Sequence, residues 1–212
     1  MLNFIKRTKE PSFIITKTVD TNLPLAYFEG KIAVVENEKQ VQKAIHYLRT
    51  QQTIGFDTET KPLFIPGKRN GNPVALLQLS TDKRAYLFRL NRLGMPAALR
   101  ELMSNKNILK VGAAIHEDLR QLQALAPFKA AGFVDLQRIV QHYGIEDKGV
   151  KKLAAIVLQI HISKSQQLSN WENPVLTKSQ CRYAATDAWV CREIFLRLQK
   201  IKNLTPAELQ LR

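Results

Sequence analysis

The sequence predicts an α/β domain: a mixed sheet flanked by helices. Two observations predict it. Stretches with strand character follow one another between residues 53 and 90, and from residue 96 helical patterns alternate with a further strand. That order puts strands into one sheet and helices on its faces. The 212 residues suit one domain, and 45% hydrophobic against 24% charged residues is an ordinary globular composition, which excludes wholesale disorder.

Each element has a local reason. Residues 1–30 lack clear periodicity and are expected as an extended, partly ordered N-terminal arm. Residues 31–202 form the domain and 203–212 a C-terminal tail, with a short turn at Thr205-Pro206-Ala207-Glu208. Residues 32–35 are a short apolar strand. Asn37 then opens a helix, with Gln40 placed as in a capping box and a stripe of Val41, Ala44, Ile45 and Leu48. Residues 53–60 alternate as a strand with Ile54 and Phe56 on one face. Residues 73–80 and 85–90 are strands separated by the turn-like Thr81-Asp82-Lys83. Residues 61–72 form a loop rich in Pro, Gly and basic side chains.

The second half alternates. A helix starts at Pro96, residues 108–112 are a strand, and residues 115–125 are a helix with the stripe Ile115, Leu119, Leu122, Ala126. Asp135 caps a helix carrying Leu136, Ile139, Val140 and Tyr143, which Gly144 stops. Residues 150–160 are a further helix and 161–176 a polar loop. Thr177 and Gln180 make a second capping box, opening a helix that runs to about residue 200.

Composition also excludes functions. No apolar run approaches the ~18–20 residues of a membrane span. The start, MLNFIKRTKEPSF, has no apolar stretch after its charges, which argues against a secretory leader. Cys181 and Cys191 lie ten residues apart in one expected helix. That separation is roughly 15 Å along the axis, beyond the ~7 Å between Cα atoms that a disulfide spans. A reduced, intracellular and cytoplasmic protein is expected. The formal charge is +14, from 32 Lys+Arg against 18 Asp+Glu, which favours a polyanionic partner.

Three acidic sites stand out against the core pattern. In Phe56-Asp57-Thr58-Glu59-Thr60, a strand places Asp57 and Glu59 on one face, with Gly55 leaving room beside them. Like charges there repel unless a cation sits between them; a solvated acidic pair at a strand end is the plainer alternative. Asp118 lies beside the apolar stripe of its helix, either at the rim of the buried face or as an exposed first-turn acid favoured by the helix dipole. In the last helix, Tyr183, Asp187, Cys191, Ile194, Leu198 and Ile201 follow helical spacing, so an aspartate sits on an apolar stripe. A buried carboxylate needs a cation or strong donors, such as a metal, a buried arginine or a cap. Four carboxylates in a strongly basic chain suit hard divalent cations and phosphoryl transfer, the basic surface attracting the polyanion.

These motifs resemble the DEDD superfamily of 3′–5′ exonucleases, which carry an RNase H-like (DnaQ-like) fold. FDTET resembles its first motif, VGAAIHEDLRQL its second and Tyr183-Ala184-Ala185-Thr186-Asp187 its third. Tyrosine four residues before Asp187 resembles the DEDDy branch; the histidine branch would place His where Arg182 stands. PVALLQLS, GVKKLA, LSNWE and YAATDA extend the likeness to ribonuclease D and the Werner-type exonuclease domains, over about residues 30–200. The resemblance implies a stand-alone exonuclease domain that releases nucleoside 5′-monophosphates from a free 3′ end of DNA or RNA, with two divalent ions, Mg²⁺ or Mn²⁺. By it, Asp57 bridges both ions, Glu59 and Asp187 complete the first site, Asp118 holds the second ion, and Tyr183 orients or helps deprotonate the attacking water.

Thr58, Thr60, Leu63, Lys68 and Arg69 are the expected substrate contacts. The resemblance extends to polymerase proofreading domains, by which Thr60 touches the terminal nucleotide and Leu63 wedges beside its base. Lys61, Lys68 and Arg69 offer phosphate contacts in a loop free of acids, or are simply solvated. His116 is expected on the helix surface, and Trp171 and Trp189 in packing. The rival reading is a catalytically inactive RNase H-like module that only holds nucleic acid. A membrane-surface role lacks the amphipathic lysine-rich helix it needs. The choice between DNA and RNA, and any protein partner, is not legible.

Overall fold

In the computed structural model, which describes residues 22–62 and 72–201, the strands are β1 (Lys31–Val35), β2 (Thr53–Thr60), β3 (Val74–Ser80), β4 (Arg84–Arg89), β5 (Leu109–Gly112) and β6 (Phe133–Asp135). They form one mixed sheet in the order β1-β4-β3-β2-β5-β6. Antiparallel pairing joins β2 to β3 and β3 to β4, while β1 runs parallel to β4, β5 to β2 and β6 to β5. VALLQLS shows no alternation because β3 is central and buried at every position.

The helices are α1 (Glu38–Leu48), α2 (Leu90–Leu93), α3 (Ala97–Ser104), α4 (His116–Leu125), α5 (Leu136–Ile139), α6 (Val150–Leu153) and α7 (Lys178–Gln199). One sheet face, with Ile54, Phe56, Leu77 and Leu79, packs on Val41 and Ile45 of α1, Leu99 and Leu102 of α3, and Leu119 and Leu122 of α4. The other face receives α7, whose Val190, Ile194, Phe195 and Leu198 meet Val111 and Val134. The expected flanked sheet is therefore present, with α7 spanning one side.

Both expected caps form, with one difference. Thr177 and Gln180 make a reciprocal capping box at α7. At α1, Asn37 Oδ1 accepts from Gln40 N–H at 3.1 Å, but Gln40 Oε1 accepts from Glu36 N–H at 2.7 Å, one residue earlier than a closed box requires. Three segments depart from the sequence reading. β6 was hidden because three residues, FVD, are too short to show a period. The helix after Asp135 tightens to 3₁₀ over Val140–Tyr143 before Gly144 turns left-handed at φ 70°. The helix expected over 150–160 widens to a π turn over Ala154–Leu158 and ends at Gln159, φ 57°. Over so short a stretch, buried alanines and aliphatics read alike at either pitch. The turn expected at 205–208 lies outside the described residues.

The end of the arm is tied down. Ala26 N–H donates to the His161 carbonyl at 2.8 Å and His161 N–H to that of Pro24 at 2.9 Å. Phe28 is buried, and its N–H donates to Thr186 Oγ1 at 3.0 Å. The long loop before α7 is fixed by polar anchors. Buried Arg89 donates to the Asn173 carbonyl at 2.6 Å, Arg92 to the Pro174 carbonyl, and Gln180 to the Asn170 carbonyl at 3.1 Å.

Gly55 overturns one expectation. It does not leave space beside the acids: a Cβ there would lie 1.8 Å from the Ala188 carbonyl oxygen of α7. The missing side chain lets the helix backbone rest on β2, where Ala184, Ala185 and Ala188 are also small and fully buried. Gly55→Ala should therefore push α7 off the sheet, costing about 1–3 kcal/mol or more. A denaturation midpoint equal to that of the wild type would refute this close packing.

Candidate active site

β2 and α7 bring the site together. Asp57 and Glu59 alternate with Phe56 and Thr58 along β2, so both project to the face on which α7 lies. Tyr183 and Asp187 stand one turn apart on α7 and face the same way. One carboxylate oxygen from each of Asp57, Glu59 and Asp187 lies within 4.8 Å of the others. The three acids line a cavity of about 300 Å³ with Tyr183, Cys191 and Thr58.

Asp118 approaches from the opposite side of β2. Its oxygen is outside the trio, but its charge acts on Asp57 and Glu59. Thr58 Oγ1 donates to Asp118 Oδ1 at 2.5 Å, which points the carboxylate round the strand. Ala114, just before α4, has a left-handed φ of 58°, a costly conformation for a residue with a Cβ. Its N–H donates to Asp135 Oδ1 at 3.0 Å, which helps hold the turn that launches Asp118.

Like charges in little water distort these acids. Asp57 is pushed well above the carboxylate range, by burial first and then by Asp187 and Asp118. Glu59 is pushed up to about 10 by burial, then by Asp57 and Asp187. Asp187 rises to about 6 through burial, moderated by the Tyr183 hydrogen bond and the Lys164 charge. Asp118 is raised by burial and partly relieved by Thr58. Burial, then Asp187 and Glu59, hold the Tyr183 phenol protonated. Trp171, fully buried, backs the Tyr183 ring at 5.9 Å between centroids and 35° between planes.

The donor set fits a hard divalent cation. It offers clustered carboxylate oxygens, and the neighbouring Cys191 thiol is kept protonated by burial. Groups that hold protons so firmly are groups that a cation would relieve.

A family model described as 3′–5′ exonuclease matches residues 32–202. The chain belongs to the 3′–5′ exonuclease family. It is 31% identical over 207 residues to the bifunctional 3′–5′ exonuclease/ATP-dependent helicase WRN of Mus musculus, covering 93% of this chain. It spans 14% of that protein's length and 53% of a mimiviral relative's. Among solved structures, the Nibbler EXO domain of Aedes aegypti superimposes with a TM-score of 0.75 at 24% identity, over 86% of this chain and 96% of that one. Escherichia coli RNase D gives 0.71 at 20% identity, over 84% and 48%. These two share the fold, an RNase D-like exonuclease fold.

Other expected residues fare differently. Thr58 lines the cavity but spends its hydroxyl on Asp118. Thr60 follows a register irregularity at the end of β2. Lys61 pairs with Glu172 at 3.1 Å, joining the strand end to the loop before α7. Leu63, Lys68 and Arg69 lie outside the described residues. His116 is exposed, as expected. The sequence reading did not single out Lys151, Lys164, Ser163 and Gln167, which line the acidic cavity. Nothing distinguishes two lysines among 32 basic residues until the fold places them.

The raised carboxyls predict an unusual pH dependence. Below about pH 4 the acids are protonated in folded and unfolded chains alike. Above it the unfolded chain ionises, while the folded site keeps protons up to about 6 at Asp187 and about 10 at Glu59. The unfolded state then binds fewer protons, so these groups lower metal-free stability as pH rises through that window. In chelator, Glu59→Gln should raise the Tm by about 3 °C at pH 8 and by less at pH 5. Mn²⁺ should raise the wild-type Tm and raise the variant's less. A variant no more stable than wild type in chelator at pH 8 would disprove the strain.

Proposed function

We propose that this chain is a metal-dependent 3′–5′ exonuclease of the DEDDy type, acting on DNA or RNA with a free 3′ end and releasing nucleoside 5′-monophosphates. The convergence of Asp57, Glu59 and Asp187 within 4.8 Å, in a chain of this family, carries the reading. Asp57 would bridge two ions, Mg²⁺ or Mn²⁺, Glu59 and Asp187 would complete one site, and Asp118 would serve the second. When bound, such ions neutralise phosphate charge and lower the pKa of a coordinated water.

The chain's own residues do the rest. The Tyr183 phenol is protonated and donates that proton to Asp187, which leaves its oxygen as an acceptor to orient the attacking water. Trp171 fixes its ring. Lys151 and Lys164 supply positive charge at the cavity wall for the non-bridging oxygens. Water adds to phosphorus as the bond to the 3′ oxygen breaks. That oxygen leaves with a proton as a hydroxyl, and the released nucleotide keeps a 5′-phosphate. Thr60, at the end of β2, and Leu63, Lys68 and Arg69, which follow it in the sequence, would contact the terminal nucleotide. The cysteines are free, as a reducing compartment such as the cytoplasm keeps them.

A degradation panel tests this reading. With Mg²⁺ or Mn²⁺, 5′-labelled DNA or RNA should shorten to a ladder, and chelator should stop it. Asp57→Asn and Asp187→Asn should fall to background, and Tyr183→Phe should lose about 10²-fold in kcat. No cleavage with either metal, together with retained oligonucleotide binding, would leave the inactive binding module instead.

A further inference from the structure

Gln78 is a polar exception on the central strand. β3 is buried at every position, and Gln78 is fully buried within it. Among the described residues, neither its Nε2 nor its Oε1 has a hydrogen-bond partner. A buried amide left unpaired loses its hydration and gains nothing in return, so each such group in a folded protein calls for a reason.

The sheet register supplies one. Gln78 stands directly opposite Asp57 of β2 in the antiparallel pair, so both side chains leave the sheet on the α7 face. Its direct neighbour on the other side, Leu87 of β4, is apolar. Along β3 the same face carries Leu76 and Ser80. Leu76 and Leu87 pack with Ala184 and Trp171, and the Ser80 hydroxyl already donates to the Thr81 carbonyl at 3.1 Å. Ala184 and Ala188 of α7 are fully buried and bring no polar side-chain atom. Asp57 is thus the polar side chain that the register sets beside the orphaned amide.

We propose that Gln78 is a positioning residue for Asp57: its Nε2 donates to the Asp57 carboxylate when that group holds a divalent ion. The inference rests on the metal-dependent reading of the site and deepens it. An ionised carboxylate offers only acceptors. A donor on one of its oxygens fixes its rotation and spares the remaining lone pairs for cations. A lysine at this position would also donate, but its charge would compete with the ions. The neutral amide orients Asp57 without neutralising it. The bond is open as the side chains stand and closes when Asp57 takes a cation, so the lost hydration of the amide is recovered only in the loaded site. A group orphaned in one state and paired in another shifts the equilibrium toward the second. Gln78 therefore lowers stability in chelator and raises metal affinity, two effects of opposite benefit from one side chain.

The test is Gln78→Met in the full chain, which keeps the length of the side chain and removes both polar atoms. Titration calorimetry with Mn²⁺ alone should show a Kd about 10-fold weaker than that of the wild type. The Tm in chelator should be at least as high as the wild type's, where loss of a merely structural residue would lower it. In cleavage of a 5′-labelled oligonucleotide, the Mn²⁺ concentration giving half-maximal rate should rise by the same factor, with KM for the oligonucleotide unchanged at saturating Mn²⁺. Gln78→Leu, which shortens the side chain, should repeat the pattern. A Mn²⁺ Kd equal to the wild type's overturns the role of Gln78. So does a weaker Kd accompanied by a lower Tm in chelator for both variants, which would trace the loss to packing. A wild type that takes up no Mn²⁺ overturns the metal-dependent reading itself, and this inference with it.

Discussion

The close approach of α7 to β2 at Gly55 governs this molecule. A Cβ at that position would sit inside the Ala188 carbonyl, so the strand and helix backbones meet without an intervening side-chain layer. Only that spacing lets Asp187 reach Asp57 and Glu59. Other features keep the helix in place. Its capping box fixes the start, Thr186 ties it to the arm, and Val190, Ile194, Phe195 and Leu198 bury the far half. The apolar packing of α7 thus opposes the mutual repulsion of the acids it carries inward. A helix can hold an aspartate on its buried stripe when the rest of that stripe contributes enough burial to offset the desolvation.

The charge of the chain takes on a shape from this arrangement. Assigning four of the 18 acids to one site leaves the remaining surface more basic than the formal +14 implies. Acid concentrates in one cavity and base surrounds it: Lys151 and Lys164 at its wall, Lys178 and Arg182 beside it. A polyanionic strand is attracted by the surroundings and repelled by the carboxylate cluster wherever its acids are ionised. Cations reverse the second term only. On the proposed function, metal loading and strand entry would be coupled through electrostatics, since ions that neutralise the acids would also remove the barrier to phosphate.

Much of this was legible in sequence, for identifiable reasons. Alternation over 53–60 put Asp57 and Glu59 on one face, and the 3.6-residue period put Tyr183 and Asp187 on another, because both periods hold over several turns or pleats. Capping chemistry marked the start of α7. The sequence could not show which residue faces Gly55 across the fold, so an apparent gap was in fact a contact with backbone. Short β6, the 3₁₀ segment and the π turn lack enough residues to display a period. Lys164 enters the picture only through a chain crossing, the loop before α7, which no local pattern encodes.

The same physics weighs an active enzyme against an inert module. Three half-buried carboxylates within 4.8 Å of each other are a standing destabilisation, relieved by protons or cations. Amides of the same shape would remove it and leave the strand, helix and basic walls intact. A domain that only held nucleic acid would bind more tightly with that repulsion gone, since its ligand carries the same sign. Fold stability and strand affinity both argue for neutral residues at these positions, and only chemistry that needs clustered anionic oxygens argues against them. Their presence beside a protonated, firmly backed tyrosine favours turnover over simple retention of the strand.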